Sequence, residues 1–429
     1  SDGQVLTSTG SGVGWEDASG GGISGLTGLV ENNSIWLGAD PSGTTDTASY
    51  NVSLGTIALD AITTGDGNTA IGYAAMDAIT TGANNVAVGF AAMSTSVDDA
   101  DYNVAVGYYA LGTADVSGDY NIAIGYTAGE NITSAIGNIL IGREAGSDIT
   151  TQGSNVMIGH HAGNSAECDY GTHVGYAAGY NDHGNSNTFI GYQSGAFPSI
   201  TGAANTAVGK ETMMACTSGG HNAVLGRVAV SGLTEGMKNV IIGAEAGTTG
   251  TILTTGDYNT IVGYAAHTSA ADSNNQIVLG DQVTGNADDS FCFGQGSSDS
   301  AIANGATTIT APSDIRLKED IQDEVVGLDF INELRPVTFR WRKAKDVPSE
   351  MKVHSDSEER VMNGKYNHGF ISQEVKEVID NNPNIKEGFD MWTEDEADGR
   401  QRIGESALIP MLVKSIQELT ARIEELKGE

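Results

Sequence analysis

NVAVG (85–89), NVAVG (103–107), NIAIG (121–125) and NILIG (138–142) follow one another at intervals of 17 or 18 residues and are copies of one pattern. That pattern, Asn-x-x-[Ile/Val/Leu]-Gly, begins at NVSLG (51–55) and NTAIG (68–72). It continues through NVMIG (155–159), NTFIG (187–191), NTAVG (205–209), NAVLG (222–226), NVIIG (239–243) and NTIVG (259–263). SIWLG (34–38), GTHVG (171–175), QIVLG (276–280) and SFCFG (290–294) are degenerate copies. Successive motif glycines are mostly 16–18 residues apart, with 20 and 14 near the end of the series. A fixed short period marks an architecture of stacked coils, in which one unit buries little and its neighbours supply the core. A coil of this length has room for two short strands and two turns. At the usual sheet spacing, about sixteen such coils make a rod on the order of 75 Å long.

Each motif position carries a physical expectation. The residue before the glycine is always aliphatic or aromatic, which predicts a buried strand position. The glycine permits a bend or a close approach of neighbouring backbones. A small residue three positions later (Ala75, Ala92, Ala110, Ala128, Ala145, Ala162, Ala178) predicts a second short strand in a crowded place. The Asn is expected to open the strand and bond nearby backbone as a turn residue. Aromatics follow the glycine at Tyr73, Phe90, Tyr108, Tyr126, Tyr176, Tyr192 and Tyr264. They form either a stacking ladder for sugar rings or a structural row; alternation puts them on the face of the uniformly apolar residue before the glycine, which favours the structural role.

Composition divides the chain near Pro312. Residues 1–312 hold 4 basic and 29 acidic side chains and 51 glycines; residues 313–429 hold 17 basic, 26 acidic and 7 glycines. The net charge of −34 opposes binding to phosphate and argues against a nucleic-acid partner. No apolar run approaches the roughly 20 residues that span a bilayer, so no membrane insertion is expected. Cys168, Cys216 and Cys292 are far apart and predict neither a disulfide framework nor a metal-ligand cluster. The start at Ser1-Asp2, without an initiator Met, reads as a piece of something longer.

The repeats over residues 34–295 resemble the head repeats of trimeric autotransporter adhesins, which form trimeric left-handed parallel β-rolls, and also look like phage fibre stems. DGQVLTSTGSGVGW (2–15) resembles segments of phage tail-fibre proteins, so residues 1–33 are expected to form a linker or shaft joint. The fold class expected is mainly β: a trimeric parallel β-solenoid or β-roll rod over 34–295, a linker over 296–312, and a small α+β domain over 313–429.

That last domain begins SDIRLKEDI, continues through a helical VVGLDFINEL and a strand PVTFRWR in which Val337, Phe339 and Trp341 alternate with polar residues, and reaches NHGFISQEVKEVI. Its terminal helix places Ile409, Leu412, Ile416, Leu419, Ile423 and Leu426 at spacings of 3, 4, 3, 4 and 3, a coiled-coil seam. S-D-x-R-x-K, L-x-x-L-x-P-x-x-[FY]-x-W, H-x-G-[FI]-x-[AS]-Q-E and the closing L-[IL]-P-x-L-V-x-[AS]-I-Q-E-L occur in order. Together they resemble the intramolecular chaperone at the C-terminus of phage endosialidases, tail spikes and tail fibres. The resemblance implies a homotrimer, a chaperone that assists folding of the upstream β-rod, and a single-turnover self-cleavage. It implies Ser313 as nucleophile, Lys318 as its base and Pro312–Ser313 as the scissile bond, with His368, Gln373 and Glu374 as supporting positions. A serine needs a base to take its proton, and a lysine serves once burial lowers its pKa. The competing structural expectation is that Ser313 caps a helix and Lys318 is solvated.

No cofactor and no metal site are expected. Asp66, Asp98, Asp99, Asp101, Asp119 and Asp257 read as turn residues, and His160-His161 lacks a second ligand motif. The functional expectation is a phage tail fibre in the virion tail, joined to an upstream fibre or baseplate protein and binding a bacterial surface glycan or receptor. The alternatives are a polysaccharide-depolymerising tailspike, which requires converging acids, and a trimeric bacterial adhesin, which requires a membrane anchor.

Overall fold

A computed structural model of the chain describes residues 7–8, 13–14, 28–37, 47–96, 99–304, 306, 309–310, 313–349, 351, 353–385, 391–394 and 399–428. It divides into two compact units, Ser1–Pro312 and Ser313–Glu429. The first is a parallel β-solenoid. Sixteen described strands, from Ser34–Leu37 to Ser290–Gln295, each pair in parallel with the next copy of the motif. Equivalent residues face one another: Ala105 pairs with Ala123, and Ala123 with Leu140. Hairpins close both ends, Gly28–Glu31 antiparallel to Ser34–Leu37 and Ser298–Ala303 antiparallel to Ser290–Gln295. They cover strand edges that would otherwise invite further pairing.

Within each three-residue strand only the middle side chain points inward. Ala87, Ala105, Ala123, Leu140 and Phe189 are fully buried, whereas Leu54, Ile71 and Leu225 before the glycine are 43%, 36% and 52% exposed. The apolar residue expected inside therefore lies outside. Alternation gives a short strand one inward position, and the coil interior takes the residue between the outward-facing pair. The second strand expected after the glycine also does not form among the described residues. Alternate residues there adopt positive φ (Ala74 55°, Met76 51°, Ala91 51°, Met93 52°). The segment is a run of turns that still bonds coil to coil, Met76 N to Ala92 O and Met93 N to Ala110 O, both at 3.0 Å.

The motif glycine is required by contact as well as by conformation. Gly125 has φ 146°, and a Cβ there would lie 2.2 Å from Gly142 O in the next coil. Bulk is balanced inside. Where the strand contributes alanine (Ala70, Ala87), the position four after the glycine carries Met76 or Met93; where it contributes Leu140, Met157 or Phe189, that position is Gly146, Gly163 or Gly195. Volume is kept across neighbouring coils as close packing demands: where Ala123 and Gly129 are both small, Leu111 and Leu140 of the adjacent coils fill the space.

The Asn has a larger role than opening a turn. Asn51, Asn68, Asn85, Asn103, Asn121, Asn138 and Asn155 are all fully buried and stacked. Asn121 N donates to Asn103 Oδ1 at 2.8 Å, its Nδ2 donates to Ala135 O at 2.8 Å, and its own Oδ1 accepts from Asn138 N and Nδ2, each at 3.1 Å. The ladder thus satisfies backbone groups at the corner where each coil turns inward, as buried amides require.

The second unit is α+β. Helix α1 (Leu328–Glu333) packs on α3 (Ile409–Gly428), and α2 (Ser372–Asn381) packs on the antiparallel pair Trp392–Glu394 with Gln401–Ile403. A second antiparallel pair joins Val337–Phe339 to Asn367–Gly369. The core is Val326, Phe330, Leu334, Val375, Met391, Leu408 and Met411. On α3, Met411 and Ser415 are buried, and Glu418 accepts from Leu328 N at 2.9 Å. The seam Ile409, Leu412, Ile416, Leu419, Ile423 and Leu426 faces away and is exposed along its whole length.

Asn121→Ala keeps the backbone bond to Asn103 but removes those of the side chain, leaving Ala135 O and Asn138 N and Nδ2 short of a buried partner. At about 1–3 kcal/mol for each unmet group, a loss of at least about 3 kcal/mol is expected. Tyr126→Ala on the outer face should cost far less. Denaturant unfolding of the two variants checks this; equal losses would refute the ladder's structural role.

Candidate functional site

The C-terminal unit opens with a single 3-10 turn, Ile315–Leu317. Its N-cap is Asp314, not Ser313: the Asp314 carboxylate accepts from Arg316 N at 2.8 Å and pairs with the Arg316 guanidinium. Arg316 holds the Asp314 carboxyl below its usual range. The turn bonds Leu317 N to Asp314 O and Lys318 N to Ile315 O and so reverses the segment between extended backbone at Asp314 and Lys318. Lys318 Nζ consequently donates to Ser313 Oγ at 2.7 Å. The proposed nucleophile and base are in hydrogen-bond reach, and both are exposed. Residues 313–325 are exposed throughout, including Ile315 (73%), Leu317 (66%), Ile321 (63%) and Val325 (63%). Pro312 lies outside the described residues.

The three supporting positions divide. His368 sits on the strand Asn367–Gly369, its Nδ1 within 3.2 Å of Thr338 Oγ1. His368 and Gln373 line a groove of about 750 Å³ with Phe339, Trp341 and Arg342. Glu374 instead forms a two-pronged ion pair with Arg335, one arm at 2.9 Å. No hydrogen bond among the described residues joins any of the three to Ser313 or Lys318.

In the solenoid, Asp66, Asp101, Asp119 and Asp257 accept backbone N–H groups of the preceding coil, those of Ser49, Ala83, Asp101 and Met237. These are turn roles, and Asp98 lies outside the described residues. The aromatics after the motif glycine stack outside the coil. Tyr73, Phe90, Tyr108 and Tyr126 follow at 5.2, 5.3 and 5.2 Å between ring centroids, and each is 43–50% exposed. His160 and His161 stack at 4.0 Å, and Glu144 lies 3.0 Å from His161 Nδ1.

One group of three potential metal-ligating side chains does converge among the described residues: Cys168, His173 and Asp182, all buried. The wide spacing of Cys168 from the other cysteines predicts no ligand cluster, yet coil stacking brings His173 and Asp182 to it. The available signal was GTHVG (171–175), the copy that loses the Asn and places His at the inward position.

Residues 313–382 match the family model described as chaperone of endosialidase. No curated protein and no solved structure matches the chain. The second unit therefore carries a chaperone-of-endosialidase domain, placed directly after a β-solenoid.

Arg335 holds the Glu374 carboxyl below the ordinary glutamate range through its hydrogen bonds and charge. A carboxylate depressed on folding contributes stability that is present above its unfolded pKa and is lost as pH falls through the folded one. The small stability difference between wild type and Glu374→Gln should accordingly be present at neutral pH and vanish once pH drops below the glutamate range. Denaturant midpoints across pH test it; a difference that persists in acid would sink the pairing.

Proposed function

We propose that this chain is a phage tail fibre whose C-terminal unit trimerises it, assists folding of the solenoid and then severs itself at Pro312–Ser313. The observation carrying this reading is the chaperone-of-endosialidase match beginning at Ser313, immediately after a solenoid whose outer strand face is apolar. That face presents an apolar residue before the glycine in every coil, among them Leu54, Ile71 and Ile124, and beside them the aromatic stack from Tyr73 to Tyr126. Contiguous exposed apolar surface marks an interaction site, and a row with the period of the coil fits another copy of the same coil. The exposed seam of α3 supports the same association, because Met411 and Ser415 already occupy the face turned to the domain.

The cleavage chemistry is internal. Neutral Lys318 takes the Ser313 Oγ proton, and Oγ attacks the carbonyl carbon of Pro312. The C–N bond breaks, the freed Ser313 amine takes the proton, and water hydrolyses the ester, leaving a Pro312 carboxylate. A lysine works as a base when desolvated, and Lys318 is exposed in the single chain. Packing of a second copy over Ile315, Leu317, Ile321 and Val325 would desolvate it, so cleavage follows association. The fibre reading adds an upstream fibre or baseplate protein, a place in the virion tail, and a bacterial surface glycan or receptor as partners.

Expressed wild type is expected to separate on a denaturing gel into a solenoid piece and a chaperone piece, with Ser313→Ala and Lys318→Ala staying full length. A wild-type chain that remains intact removes the autoprotease while leaving the chaperone. Leu419→Asp, in the α3 seam, should lower the oligomeric state measured by light scattering and slow cleavage; a trimer unaffected by this change would exclude the seam as part of the interface.

A further inference from the structure

Among the described coils, the one at 171–175 alone lacks the Asn and also turns a histidine inward, and three substitutions converge there. The coil at 171–175 has Gly171 where its neighbours have Asn155 and Asn187, and His173 where they have Met157 and Phe189. Cys168 occupies the position three before the motif, where Gly65, Gly82 and Gly118 stand in other coils. Asp182, in the following turn, is buried as well. The apolar core divides at this layer, one cluster ending at Cys168 and the next starting at Ala178.

We infer that Cys168 Sγ, His173 and Asp182 form a structural binding site for a zinc-class divalent cation inside the solenoid. One donor atom from each of the three lies within 4.8 Å of the others, and all three side chains are fully buried. Zinc bonds to thiolate at about 2.3 Å and to imidazole or carboxylate at about 2.0–2.2 Å, which sets donor separations near 3.5 Å in a tetrahedron. His173 Nε2 and Asp182 Oδ2, now 2.9 Å apart, need to part only slightly. Asn155 Oδ1 is 3.7 Å from Sγ and offers a further oxygen.

The surroundings are shaped for this set. A Cβ at Gly171 would lie 2.8 Å from Cys168 Sγ and 3.1 Å from His173 Cε1, so the missing Asn is what makes room. Gly179 clears the imidazole in the same way, at 2.5 Å from Cδ2. Asp182 Oδ1 is oriented by Gly184 N at 3.0 Å and Asn187 Nδ2 at 2.8 Å, the outer hydrogen bonds a ligating carboxylate uses. His173 Nδ1 is buried without a partner. Thiolate, carboxylate and neutral imidazole together carry two negative charges, which a divalent cation cancels in a place where net charge is costly. Only the thiolate ligates, so the Cys168 thiol gives up its proton to solvent when the ion binds.

The test is metal content of the full chain expressed in defined medium with zinc or with Co²⁺, then dialysed against chelator. About one equivalent of tightly held metal per chain is expected, with a thiolate-to-cobalt charge-transfer band in the Co²⁺ sample. Cys168→Ser and Asp182→Asn should lose the band and most of the metal, whereas Cys216→Ala should keep both. Wild type is decisive even if a variant fails to fold: folded chain with less than about 0.1 equivalent overturns the site. Retention of a full equivalent by folded Cys168→Ser, or cobalt bound without a thiolate band, overturns it too.

Discussion

The solenoid depends on backbones passing within van der Waals contact at one corner of every coil. There, at the end of each three-residue strand, the motif glycine meets the glycine of the next coil, while at the strand's other end the buried Asn closes backbone hydrogen bonds from coil to coil. Both are consequences of a small cross-section. A coil of about 17 residues encloses one inward side chain per strand, so its polar backbone cannot be shielded by bulk and must be matched atom for atom. The ladder does this with one residue type because the carboxamide carries both donor and acceptor. Stability then accumulates from neighbour to neighbour rather than from a central core.

Much of this is legible in the sequence, and the errors have a common origin. The period, the close approach at glycine and the start of the second unit can be read directly from spacing and composition. Inside and outside cannot, since alternation says only that residues two apart share a face. An aliphatic before the glycine looked like core, yet Ile71 and Leu54 line the outer face while Ala70 and Ser53 turn inward. Single-chain burial logic misleads where a surface is apolar along its whole length. The Asn looked like a turn former because its partners lie one coil away, a distance that local rules do not see.

The site shows the same division. Ser313 and Lys318 were legible only through their motif, since five residues of separation predict no contact in a helix; the 3-10 turn capped by Asp314 supplies it. His368 and Gln373 share a groove, whereas Glu374 is committed to Arg335, a partner 39 residues away that no local pattern reveals. Cys168, His173 and Asp182 were hidden because each is unremarkable alone, and their convergence needs the coil-to-coil register.

The balance between the two inward positions has a consequence for length. Since most interfaces join like to like, and since Met76 or Met93 compensates Ala70 or Ala87 within its own coil, a coil of that kind is an exchangeable module. Removing or duplicating one would shift everything beyond it by one strand spacing, about 4.8 Å, while leaving each junction of the same kind. A structure built this way changes reach in discrete steps, and its two terminal hairpins, not any interior residue, are what declare where counting stops.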